Sequence, residues 1–288
     1  MLQNFNTGRV EQFFHVFFGR GILVQISLAI IFLFVSAALL APVLTPYTPY
    51  EQDLTKLFAK PSAEHWLGTD NIGRDFLTRL LYGAQISLVT SLLSSIWAGM
   101  VGIVLGLIAG YFEGWIGSVI MRIIDAQLSI PSLIFSMVLG MVGGQSIIGM
   151  SIAIGVGAIP AYTRMVYGMV LSLKNNDYIV AASLIGQGET QILFRHLLPN
   201  CFAPLIVIFT MSLGMAIMVE AGLAYLGVGI AAPTPAWGVM VSEGYKYLTL
   251  YPRLAILPGL CVMLVVVAFN VVGDGLRDAL DPRLRGKL

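Results

Sequence analysis

The stretch DYIVAASLIGQGETQILFRHLLPN, residues 177–200, lies between two long apolar runs and carries charges, amides and two glycines. Asn176 or Asp177 has the side chain to cap a helix start, Tyr178 to Ile185 can continue the helix, and Gly186 can take the left-handed conformation that ends it. Ala181 and Ala182 have almost no side-chain bulk, so another surface can approach the backbone closely there. A second helix over Glu189–His196 follows, and Pro199 marks the return to the apolar region. The pattern describes a rigid helix–turn–helix with a small-residue face, shaped as a docking plug. The competing reading is a solvated connection, but a structureless loop this long is uncommon.

The flanks make this a membrane protein. Of 288 residues, 57% are hydrophobic and 11% charged, against about a quarter charged in soluble domains. A bilayer core takes roughly 20 apolar residues per helix, and six runs qualify: 22–43, 86–110, 119–142, 146–171, 202–225 and 254–273. Glycines and prolines inside them, such as Gly102, Gly106, Gly110, Pro131, Pro160 and Gly214, are expected first as packing sites. An even number of spans puts both termini on one side. Ten of the 16 Lys and Arg residues then share that side, leaving Lys56, Lys60, Arg74, Arg79, Lys246 and Arg253 opposite. The bias predicts cytoplasmic termini and a cytoplasmic 177–200 stretch. The resulting plan is an N-terminal segment 1–21, a first span 22–43, an extracytoplasmic segment 44–85, a core 86–273 that includes the loop 174–200, and a tail 274–288. The first apolar run starts late and is long for a signal peptide, so it is expected to be an uncleaved anchor.

A net charge of +1 offers no field for nucleic acid. Cys201 and Cys261 fall at or within apolar segments and suggest neither a disulfide framework nor a zinc site. His15, His65 and His196 are scattered, so no metal site or catalytic set is expected. No G-x-x-x-x-G-K-[ST] phosphate loop occurs. Asp125 follows Arg122 by three residues, and the pair is expected to anchor the cytoplasmic end of the third span. Glu220, deep in the fifth span, is expected either to line a path or to bond a helix of another subunit. Residues 65–83 read as an amphipathic helix on the membrane surface or against a partner subunit, with a cap-like Thr69-Asp70. Pro235 and Trp237 read as a stiff outer element ending in an interfacial aromatic, suited to contact with a docked protein.

The spacing Ala181-Ala182, Gly186, Leu198-Pro199 resembles the "EAA" loop of ABC-importer permeases, with Val180 at the position that is usually Glu. HWLGTDNIGRDFLTRLLYGAQISL (65–88), AGYFEGWIGSVIMRIIDAQLSIPSL (109–133), AAPTPAWGVMVSEG (231–244) and AFNVVGDGLRDALDPRLR (268–285) resemble the dipeptide/oligopeptide/nickel permeases, in particular their C-type subunit. The resemblance implies an all-α polytopic fold of six transmembrane helices, of the type I ABC-importer kind, with a cytoplasmic coupling helix. It implies a coupling role for Asp177, Tyr178, Val180, Ala181, Ala182, Gly186, Arg195, His196 and Pro199. It further implies a bacterial cytoplasmic (inner) membrane location, a B-type permease, two ATP-binding subunits that hold ATP and Mg, and an extracytoplasmic binding protein. No cofactor is expected in this chain. The cargo expected is di- or oligopeptide, with nickel or a metal chelate as the alternative. A self-contained channel or secondary transporter is the rival class; it would need paired acids near the midplane, where only Asp125 and Glu220 are candidates.

Overall fold

The computed structural model of the chain describes Phe17 and residues 22–112 and 114–280. The rest of the N-terminal segment and the tail beyond 280, including His15, lie outside the described residues. Nine helices of eight residues or more occur among the described residues. These are α1 (Ile22–Leu44), α2 (Phe76–Tyr111), α3 (Trp115–Leu128), α4 (Ser132–Gly143), α5 (Ile147–Leu173), α6 (Asp177–Leu184), α7 (Leu198–Tyr225), α8 (Trp237–Tyr245) and α9 (Arg253–Leu280).

Five helices are long and apolar enough to span a bilayer, α7 together with its lead-in from Glu189 among them. The predicted third span is not one rod. Its halves α3 and α4 meet at 93°, because Pro131 lacks the N–H that would continue the helix and disfavours a helical residue before it. Gly117 on α3 packs against Ala109 and Phe112 at the end of α2, whereas Gly140 on α4 packs against Met150 near the start of α5. The pair therefore runs from one end of the bundle to the other as a broken span.

The most extensive helix pairing is α2 on α5. Gly102, Gly106 and Gly110 recur every fourth residue and form one stripe on α2. A Cβ at Gly102 would stand 2.6 Å from Tyr162 Cβ, at Gly106 2.7 Å from the Thr163 carbonyl oxygen, and at Gly110 2.7 Å from Val170 Cβ. Only glycine admits this approach. Buried Leu107, Tyr162, Val166 and Val170 fill the seam. Helix α1 is peripheral: it packs on α9 and α2 and leaves Phe32, Leu33, Leu39 and Val43 exposed on its outer face.

The expected amphipathic surface helix over 65–83 is not formed. Residues 65–75 are irregular, and Phe76 opens the 36-residue α2 directly. Asp75, not Thr69-Asp70, is the cap: its carboxylate accepts the Thr78 N–H at 2.8 Å and the Thr78 hydroxyl at 2.7 Å, and lies 2.9 Å from His65 Nδ1. The charges that looked interfacial are buried. Arg74 Nε donates to Asp70 Oδ2 at 2.6 Å, Arg74 and Arg79 reach Glu243 on α8 at 3.3 and 3.2 Å, and Arg79 donates to the Pro49 and Pro233 carbonyls. Arg253, at the start of α9, bonds the carbonyls of Phe58, Ala59 and Thr69. These contacts bind the segment 45–75, α8 and the first turns of α2 and α9 into one cap at that end of the bundle.

Replacing Gly106 by Leu should force α2 and α5 apart. Overpacking of this kind costs about 1–3 kcal/mol, and purified variant protein should melt well below wild type in a detergent thermal-shift measurement. An unchanged melting temperature would mean that the seam does not set the stability of the bundle.

Candidate functional site: the loop between α5 and α7

Helix α5 ends at Leu173 and α6 begins at Asp177. Asn176 occupies the cap position without a side-chain bond, and Asp177 puts a negative charge in the first turn, where the helix dipole favours it. The stop is where the sequence places it. Gly186 has φ +82°; its N–H bonds the Ser183 carbonyl at 3.0 Å and the Gln187 N–H bonds the Ala182 carbonyl at 3.1 Å. This paired pattern is a Schellman ending, and the positive φ is the reason glycine stands there.

The second expected helix, over Glu189–His196, is not a separate element. A helical turn at Glu189–Gln191 passes into a π-helical stretch, Ile192–Leu197, which runs into α7 without a break. Pro199 is the second residue of α7 and follows directly on the π-helical stretch. It opens the span from inside the helix and does not interrupt it.

Ile179 is buried in one cluster with Ile192, Leu193 and Leu197, and Ala182 is buried too. The opposite side of α6 is exposed and apolar: Tyr178 and Val180 are each 45% accessible, Leu184 82% and Ile185 75%. The expectation of a shared small face at Ala181-Ala182 is thereby corrected. Neighbours on a helix point about 100° apart, so Ala181 is exposed while Ala182 faces the bundle. His196 Nε2 lies 2.7 Å from Gln187 Oε1 and staples the turn to the π stretch. Arg195 and Pro199 are exposed beside it.

Other predicted residues fall elsewhere. Asp125 pairs with Arg164 of α5 at 2.5 Å, not with Arg122, because its helix turns that face toward α5. The pair is half exposed and clamps α3 to α5. Glu220 is buried, with Ser87 Oγ of α2 3.3 Å from Oε2 and the Gly238 N–H on its carboxyl. It bonds within its own chain, so neither a path-lining place nor a bond to another subunit's helix holds. Trp237 is fully buried: its indole N–H donates to the Leu80 carbonyl at 3.0 Å and its backbone N–H to Ser87 Oγ at 3.0 Å. Pro235 is buried too. Both sit in the cap that closes over α2, and an outer anchor role for them is overturned. Sequence reasoning missed Ser87, the hydroxyl that links Trp237 to Glu220; the one signal was its place one helical turn past Gly83, which packs on the Trp237 ring. Among the described residues no group of three or more His, Cys, Asp or Glu side chains could hold a metal ion.

Glu220→Gln keeps an acceptor for Ser87 and Gly238 and should melt near wild type. Glu220→Ala strands both donors in a buried site and should cost about 1–3 kcal/mol, read as a lowered melting temperature. Equal stability of the two variants would remove Glu220 from the clasp.

The chain matches the family model described as binding-protein-dependent transport system inner membrane component over residues 102–286. It also matches the N-terminal transmembrane domain of oligopeptide transport permease C over residues 22–61. It is 42% identical to the dipeptide transport system permease protein DppC of Escherichia coli strain K12, over 96% of this chain and 94% of that protein. It is 41% identical to the protein of the same name from Alkalihalophilus pseudofirmus, over 90% and 86%. With the glutathione transport system permease protein GsiD of Salmonella typhimurium the identity is 42%, over 86% and 82%. The chain therefore belongs to the dipeptide/oligopeptide ABC-importer permeases as a C-type, multi-pass inner-membrane subunit.

Proposed function

We propose that this chain forms half of the membrane path of an ATP-driven peptide importer and couples that path to separate ATP-binding subunits through α6. The carrying observation is the exposed face of Tyr178, Val180, Ala181, Leu184 and Ile185 on a helix whose other face is locked into the bundle. An apolar face of this kind outside the spans needs a protein partner. Val180, where the family pattern has Glu, extends the apolar contact at the cost of a charged one. Arg195 remains beside it as an exposed cation.

In this reading a B-type permease supplies the other half of the path, and an extracytoplasmic binding protein delivers cargo to the outer cap. ATP and Mg are held by two partner ATPases, and the termini and α6 lie in the cytoplasm. Closure of the ATPases around nucleotide moves α6, and the spans rock with it to open the path alternately to the two sides. Di- and oligopeptides are the proposed cargo: the relatives above carry dipeptide and glutathione names, and glutathione is itself a peptide.

Gly186→Asp places a β-carbon and a charge on a left-handed backbone, and Ala181→Trp fills the close-approach point on the exposed face. Both should abolish peptide uptake and binding-protein-stimulated ATP hydrolysis in reconstituted vesicles while membrane insertion is retained. Normal uptake by either variant would remove the coupling assignment.

A further inference from the structure

Two clefts lie in sequence along α5, α7 and α9. One sits at mid-depth, about 400 Å³ in volume, and reaches Ser95 of α2 and Tyr162 of α5. The other, about 690 Å³, lies at the coupling-loop end and carries Met165, Met169, Asn200 and Arg277 on its walls. Each is within the size range of small-molecule sites. They meet at two residues, Ile208 and Met211, which line both.

Ile208 and Met211 are three apart and share one face of α7, half way along the helix. Met211 is not free to retreat toward α9. A Cβ at Gly273 would stand 2.6 Å from Met211 Cγ, so the methionine lies directly on the glycine backbone.

Tyr162 and Ser212 hydroxyls lie 2.7 Å apart, and Ser212 donates to Ser95 at 2.9 Å, so one polar chain crosses a largely apolar wall at mid-depth. Arg277 is exposed at the inner mouth. The remaining wall is rich in methionine, whose flexible, polarisable chain adapts to varied apolar shapes.

We propose that the two clefts are successive stretches of the cargo path, and that Met211, seated on Gly273 beside Ile208, is the sill that selects passing side chains by bulk. This rests on the peptide-permease reading above.

The test uses the complete transporter with its binding protein in proteoliposomes, with alanyl-alanine and tryptophyl-tryptophan as cargo. Met211→Trp should lower uptake of the bulky peptide by about tenfold or more relative to the small one. Gly273→Ala, which displaces Met211 without removing it, should shift the preference the same way. Met211→Ala should shift it the other way. Unchanged preference in all three overturns the sill. Independently of cargo, Met211→Cys in a Cys261→Ser background should change its maleimide reactivity severalfold between nucleotide-free and hydrolysis-blocked states. A thiol protected in both states would place Met211 against another subunit and overturn the proposal. Failure of wild type to import either peptide would instead sink the peptide reading, leaving the thiol result to decide the sill.

Discussion

The glycine stripe of α2 against α5 is the contact on which the rest of the structure depends. Apolar surface drives helices together only weakly in lipid, so close backbone approach and the dispersion contact it allows must do the work. With Gly102, Gly106 and Gly110 pressed on Tyr162, Thr163 and Val170, α2 and α5 behave as one double-width strut. Helix α5 leads through three residues into α6, and Lys174 Nζ, at the strut's end, donates to the Gly110 carbonyl. The loop is therefore mounted directly on this pair of helices. Next to the break between α3 and α4, Gln127 of α3 donates to the Val156 carbonyl of α5.

The cap formed by the segment 45–75, α8 and the first turns of α2 and α9 rests on different physics. Arg74, Arg79, Asp70 and Glu243 share charges in a site where Arg74 and Arg79 are almost wholly buried. Taking such charges out of water is costly, and only near-complete pairing offsets the cost. Such a cluster holds one arrangement well and tolerates few others. It fixes the relative positions of segments more than 150 residues apart in sequence, since Arg79 reaches Pro233 and Glu243.

Legibility in the sequence followed the range of the interaction. Spans were visible as apolar runs, and the end of α6 was visible because a left-handed C-cap is a local event that Gly186 announces. Asp75 as the cap of α2 was hidden, since Arg74 and Arg79 around it suggested a wet surface and nothing local showed Glu243 approaching from α8. Trp237 was misplaced for the same reason: a tryptophan after a proline-rich turn fits an interfacial belt as well as it fits a buried slot. Pro131 was seen, but a proline in a span can be tolerated or can break it, and the choice depends on whether neighbours satisfy the freed backbone. The inward turn of Ala182 and the partner choice of Asp125 depended on helix rotation, which periodicity in a polar loop does not define.

The π-helical stretch before α7 contains one more residue per hydrogen-bonded turn than an α-helix needs. Ile192–Leu197 winds more widely, and no coil separates it from the 28-residue α7. The loop and the span thus form one shaft with a built-in offset of winding. From Glu189 onward the chain reaches the end of α7 as continuous helix, and the coil that separates it from α6 lies between Leu184 and Glu189. The phase of every side chain on α7 relative to the loop is set by that single surplus residue, so the length of this junction is as much a determinant of the fold as its composition.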